Sequence, residues 1–125
     1  IKFINPLIHS SVMFRKKRIL NIGGYDENYK KVQDYELWFR CIANDLKLHN
    51  LNEELLYYRR DKYYYSRKSF SYRWFDFKVR LKGYRLLKLP WYKRYPLFVP
   101  VILGLLPKFL LNYIYENKEL FDPRL

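Results

Sequence analysis

A mostly helical chain with a few short strands is what this sequence predicts, on three observations. Phe70, Trp74, Phe77, Leu81 and Tyr84 recur at spacings of four, three, four and three, the period of one helix face. Leu37, Trp38, Cys41 and Ile42 fall on a second such face. Between them LKLHNLNEELLYYR, residues 46–59, reads as two extended pieces joined by a turn at Asn52. At 125 residues, 50% hydrophobic and 21% aromatic, the chain is one domain at most, large enough for a core and too apolar for global disorder.

Taken in order, the elements are these. The chain opens on Ile1 and runs straight into IKFINPLIHSSVMF, as if entered partway through a fold, so a piece of something longer is expected. Residues 7–14 suit a buried strand or a loop leading into one. RKKRILNIGG is expected to form a short helix, closed by Gly23 or Gly24 in the left-handed conformation. Residues 25–32 are polar and loop-like. A helix is expected to start at Asp34, since Asp is a good N-cap, and to end near Asn44 or Asp45. A strand over Lys47–Leu51 and an extended piece through Tyr58 follow. The helix expected from Ser66 to Lys88 places Arg73, Lys78, Arg80, Lys82, Arg85 and Lys88 largely on its flanks and opposite face, and Pro90 stops it. The thirteen apolar residues from Tyr95 to Pro107 fall short of a spanning helix, which needs ~20. A re-entrant or surface-lying element is expected there. The organisation this predicts is a first part, 1–65, and a basic amphipathic and apolar helical tail, 66–125. The single Cys41 excludes an internal disulfide and fits a reducing compartment.

Charge divides the chain. Residues 1–58 carry nine Lys/Arg against seven Asp/Glu, residues 59–94 thirteen against two, and the last 31 residues three against three. The near-neutral first part looks like a site and the basic, aromatic second part like a surface for something anionic. Nucleic acid and an anionic membrane surface both fit such a surface. The adjacent PLFVPVILGLLP favours the membrane, so no nucleic-acid partner is expected. The plain alternative is that this stretch packs as core against a missing half. A non-enzymatic membrane- or polyanion-binding module, or a scaffold element, stands as the rival to an enzyme.

Five segments occur in order: Ile4-Asn5-Pro6, then His9 to Lys16 (HSSVMFRK), Ile22 to Glu27 (IGGYDE), Gln33 to Trp38 (QDYELW), and Leu55 to Arg59 (LLYYR). This string resembles the C-terminal half of the catalytic domain of family 2 glycosyltransferases, particularly bacterial enzymes that build polysaccharide repeat units. It covers about residues 3–67. The resemblance implies an α/β fold, the acceptor-side half of a GT-A (Rossmann-like) domain followed by a helical, membrane-associating region. It also implies a nucleotide-sugar donor and a glycan or polyprenyl-diphosphate-linked acceptor. The nucleotide pocket and the family's D-x-D site for a divalent metal, Mg or Mn, are expected upstream, in a missing N-terminal half of the same enzyme. The fragment alone is then expected to be inactive. Work at the cytoplasmic face of the membrane follows from the same likeness.

Within that frame Asp34 matches the family's general base. Inverting sugar transfer needs a carboxylate to take the acceptor hydroxyl's proton, and a helix N-terminus holds a carboxylate ionised. A plain N-cap aspartate is the alternative. Gln33 departs from the family, which more often has an acid there. Gly23, Gly24, Tyr25 and Asp26 are carried over as substrate-binding positions, although Gly23-Gly24 also read as a helix stop and Asp26 and Glu27 as loop acids pairing with Lys30 or Lys31. His9 sits at the H-x-S position, near diphosphate or metal if functional, and otherwise is a hydrogen-bonded structural residue. Arg40 and Arg59 suit a bidentate phosphate clamp or salt bridges to Glu36 and Glu53. Trp38 is a sugar-stacking platform or a core residue, and Cys41 a small buried hydrophobe.

Overall fold

The computed structural model describes residues 5–53, 55–57, 70–107, 109–110 and 113–114. Its elements are a 3₁₀ turn at His9–Ser11, helices α1 (Lys16–Asn21), α2 (Gln33–Ala43) and α3 (Phe70–Leu86), 3₁₀ turns at Trp91–Lys93 and Tyr95–Phe98, and helix α4 (Val99–Leu105). Helix α3 is the middle layer, with α2 packed against it on one side and α4 on another.

The first three helices end in one way. The residue past each C-cap is left-handed, at φ 91° for Gly23, 56° for Asp45 and 51° for Lys88. Gly23 and Gly24 donate back to the Leu20 and Ile19 carbonyls, both at 2.9 Å. Asp45 and Leu46 do the same to Ile42 and Cys41, and Lys88 and Leu89 to Arg85 and Tyr84. This pair of bonds satisfies carbonyls that a helix end leaves orphaned. Glycine adopts the conformation freely, whereas Asp45 and Lys88 each cost about 1 kcal/mol. After α3 is capped, Pro90 prevents its resumption.

The core draws on every helix layer: Ile19 of α1, Leu37, Trp38 and Phe39 of α2, Val79 and Tyr84 of α3, and Leu97 before α4. Two glycines allow the close approaches. A Cβ at Gly83 would stand inside the contact radius of the Phe39 ring, and one at Gly104 would lie 2.9 Å from Arg73 Cδ. The buried face of α3 is Arg73, Val79, Arg80, Gly83 and Tyr84.

Several expectations change here. The stop at Gly23-Gly24 and the C-terminus at Asn44-Asp45 hold. The start of α2 moves, because left-handed Val32 is the N-cap and Asp34 lies in the first turn. The α/β expectation is met on its helical side only: among the described residues there is no strand, and Lys47–Leu51 and residues 12–15 are irregular. A strand needs a partner backbone to pair with. Residues 46–51 have none among the described residues, and Asn50 Nδ2 donates instead to the Pro6 carbonyl at 3.2 Å. On α3, Phe70 and Trp74 are exposed, while Arg73 and Arg80 turn inward. Arg80 can do so because Asp76 lies 3.0 Å from its Nε and the Tyr35 ring lies 5.1 Å from its Cζ, so its charge is met inside. Among the described residues no helix is long and apolar enough to cross a membrane. Residues 66–69 of the expected helix, the 65/66 boundary, and Tyr58 and Arg59 lie outside the described residues.

Packing of Gly83 on Phe39 predicts that Gly83→Ala lowers the unfolding free energy by about 1–3 kcal/mol, although alanine is the better helix former. Urea unfolding measures it. Adding Phe39→Leu should recover part of the loss, and an unchanged midpoint for Gly83→Ala would contradict the described approach of α2 to α3.

Candidate active site

The site is assembled where the glycine turn after α1 meets the start of α2. Glu36, one turn into α2, is only 3% exposed, and four residues on Arg40 reaches it with Nε at 3.0 and 2.9 Å from the two carboxylate oxygens. The rest of the guanidinium holds the turn: Nη1 donates to the Ile22 carbonyl and Nη2 to that of Gly24, each at 2.6 Å. Lys82 of α3 adds its ammonium 3.4 Å from Glu36 and 3.8 Å from Asp26, and 5.0 Å from the centre of the Tyr29 ring. Burial works against the charge on Lys82, but hydrogen bonding to Tyr29 and the charges of Tyr29 and Glu36 outweigh it and raise its pKa. Arg40 therefore takes the salt-bridge reading, not the phosphate clamp.

From that fixed turn, Tyr25 reaches back to the segment that carries His9 and Phe14. Its hydroxyl lies 3.0 Å from His9 Nε2, with the ring centres 5.6 Å apart, and Phe14 flanks its ring at 6.5 Å. Burial, then the negative charge of Asp34, push the Tyr25 hydroxyl above its ordinary 10.0. Asp34 is half-buried. Its Oδ2 accepts a 2.7 Å hydrogen bond from Asn5 Nδ2, and no described residue donates to Oδ1. The carboxylate is thus anchored by a side chain from outside the helix, not by the helix's own N–H groups as the sequence suggested. Val32, two residues before it, holds a left-handed backbone at φ 61°. A β-branched residue in that conformation stores on the order of 1–3 kcal/mol of strain.

Of the residues singled out in the sequence, His9 and Tyr25 touch beside Gly23 and Gly24, and Asp34 is near enough for its charge to act on Tyr25. Asp26 lies beside them but is turned into its own loop, where Asn28 donates to Oδ1 from its backbone at 3.0 Å and its side chain at 2.8 Å. Its ion-pair partner is Lys82, in place of Lys30 or Lys31. Trp38 is 1% exposed, so its ring faces protein and not a sugar-sized space. Burial pushes the Cys41 thiol up, which keeps it a neutral hydrophobe. Arg59 lies outside the described residues. Sequence reasoning missed Asn5 as the anchor of Asp34 and Glu36 as the buried centre. Only the Glu36–Arg40 spacing of four gave a signal for the second.

Among known proteins, relatives named glycosyltransferases align with 90% of the chain. They include an uncharacterised glycosyltransferase of Methanocaldococcus jannaschii, 33% identical and spanned over 41% of its length. They also include the Escherichia coli UDP-Gal:α-D-GlcNAc-diphosphoundecaprenol β-1,3-galactosyltransferase, 29% identical and spanned over 42%. The amylovoran biosynthesis glycosyltransferase AmsE of Erwinia amylovora is 26% identical and spanned over 43%. The chain therefore spans about two fifths of the length of these relatives. No family profile and no solved structure matches it.

Two outcomes are expected. Arg40→Met, which leaves Glu36 buried with Lys82 alone, should cost about 3 kcal/mol of stability by chemical unfolding. The two Asn28 donors hold the Asp26 carboxyl below its ordinary 3.8, so its stabilising effect is present above that value and fades as pH falls through the lowered one. Removing the side-chain donor by Asn28→Ala should move the Asp26 titration, followed by NMR, back upward.

Proposed function

We propose that the chain is the acceptor side of an inverting, nucleotide-sugar-dependent glycosyltransferase of the family 2, GT-A type, with Asp34 as its general base. The observation that carries this reading is the Asp34 carboxylate, half-buried, gripped at one oxygen by Asn5, with no described donor on the other. A base for this chemistry needs a fixed oxygen at the edge of an open site, within reach of a substrate hydroxyl. Relatives named for glycosyl transfer, among them enzymes of polysaccharide biosynthesis, support the reaction class.

In this reading the acceptor hydroxyl lies against Asp34 Oδ1. As its oxygen forms a bond to the anomeric carbon, the bond from that carbon to the diphosphate breaks on the opposite face. The nucleoside diphosphate leaves with the electron pair, and the hydroxyl proton passes to Asp34. Tyr25, steadied by His9, stands beside the acid as a hydrogen-bonding group for the incoming sugar. The backbone of Gly23-Gly24, lacking side chains, lets that sugar approach the turn. The acceptor is a glycan or a lipid-linked saccharide, in keeping with the diphosphoundecaprenol substrate named for the E. coli relative.

A divalent metal, Mg or Mn, belongs to the donor half of the reading. The described residues do not fit one: among them no three His, Cys, Asp or Glu side chains converge, and His9 is engaged with Tyr25. What Asp34 does requires no metal at its own oxygens.

The test is Asp34→Asn in the full-length protein. Asparagine keeps the shape and can still accept from Asn5, but it takes no proton. The turnover number should fall by about 10²–10⁴-fold with acceptor KM and thermal midpoint little changed. Near-normal transfer by a folded Asp34→Asn protein would remove Asp34 from the role.

A further inference from the structure

The surface that the site does not use is the outer side of α3 and α4. Phe98, Ile102 and Leu105 lie one above another on successive turns and are 55%, 55% and 73% exposed. The opposite side of α4, with Pro100 and Gly104, is the one turned to α3. No charged residue occurs from Tyr95 to Pro107. The exposed stripe continues onto α3 through ring contacts: Phe98 to Phe77 at 6.2 Å, and Phe77 stacked on Trp74 at 5.3 Å. A run of large apolar side chains on this scale needs an explanation.

Cations edge the stripe. Lys78 Nζ lies 5.8 Å from the centre of the Trp74 ring and 5.9 Å from that of Phe75, and Lys93 Nζ lies 5.7 Å from that of Tyr92. Trp91, Tyr92 and Tyr95, rings with a polar end, stand exposed beside them. Not all the charge of residues 59–94 belongs to this edge, since Arg73 and Arg80 are buried and Lys82 is turned to Glu36 and Asp26. Among the described residues Lys78, Arg85, Lys88 and Lys93 are exposed, and the Lys82 side chain is half exposed.

We propose that the Phe98-Ile102-Leu105 face of α4, with Trp74 of α3, seats in the headgroup region of an anionic lipid bilayer, and that Lys78 and Lys93 contact its acidic headgroups. Two features favour lipid over a protein partner. The core of a protein interface is depleted of lysine, whereas lysines snorkelling over aromatic rings at the border of an apolar face suit a bilayer surface. Trp and Tyr with a wet end and an apolar body are the side chains that settle at headgroup depth. The seven residues of α4 are about 10 Å long, against a hydrocarbon core of about 30 Å, so the helix does not cross the bilayer. The inference does not depend on Asp34 being a base, and its test contains no sugar transfer.

The experiment is flotation of the full-length protein with phosphatidylcholine vesicles, with and without phosphatidylglycerol, across a salt series. Binding is expected only with the anionic lipid and should weaken as salt rises. Ile102→Asp with Leu105→Asp, at positions already open to solvent, should lower vesicle binding on the order of a hundredfold with an unchanged circular dichroism spectrum. Lys78→Gln with Lys93→Gln should lower it on the order of tenfold on anionic vesicles. Vesicle binding unmoved by both pairs, or RNA binding without vesicle binding, overturns the proposal. So does loss of the folded spectrum in Ile102→Asp/Leu105→Asp, because the face would then be covered by protein.

Discussion

A carboxylate buried one turn into α2 governs what lies around it. Glu36 is withdrawn from water, a position that costs several kcal/mol unless the charge is met. Arg40 meets it from the next turn and has donors to spare, which go to the Ile22 and Gly24 carbonyls. Those carbonyls belong to the turn that ends α1, so one guanidinium joins two helices. Arginine's planar fork supplies donors in three directions at once, whereas a lysine in its place has a single point of charge. Because the turn is fixed, Tyr25 is fixed, and its hydroxyl finds His9 on one side and the field of Asp34 on the other. Through the Ile22 and Gly24 carbonyls the ion pair determines where the turn that carries Tyr25 sits.

Much of this was legible where a residue type permits few conformations. Gly23 announced the end of α1 because a left-handed residue there is cheapest as glycine, and Asp34, expected as the N-cap of α2, lies two residues past it. What misled was polarity read as exposure. Arg73 and Arg80 were assigned to solvent because they are charged, but Asp76 and Tyr35 receive Arg80 inside and leave Trp74 facing out. Periodicity located the helix correctly, and its aromatic face is buried in part: Tyr84 lies in the core, Phe77 and Leu81 pack against it, and Phe70 and Trp74 face out. The strand expected at Lys47–Leu51 failed for a related reason: alternating residues permit an extended chain, but only a partner backbone makes it a strand. Asn5 left no local trace, because its contact with Asp34 spans 29 positions of sequence.

The basic segment also has to be divided. Its formal charge suggests one electrostatic surface, but in the folded chain the cations perform separate tasks. Arg80 is a core residue with an internal counter-ion, Lys82 belongs to the acidic centre around Glu36, and Lys78 and Lys93 lie on aromatic rings at the outer edge. A salt titration of any binding by this protein reports on the last group far more than on Arg80, because buried pairs are screened least.

That division links the outer face to the site. Lys82 leaves α3 on the side toward α2, and Gly83, the next residue, allows α3 to lie directly on Phe39. The helix that presents Trp74 outward is therefore the one that completes the charge balance around Glu36 inward. Rigid packing at Gly83 and the ionic contact at Lys82 leave α3 little freedom to move without disturbing the Gly23-Gly24 turn, since packed interiors transmit displacement instead of absorbing it. The same packing joins α2, whose first turn carries Asp34, to the helix whose outer side carries Trp74.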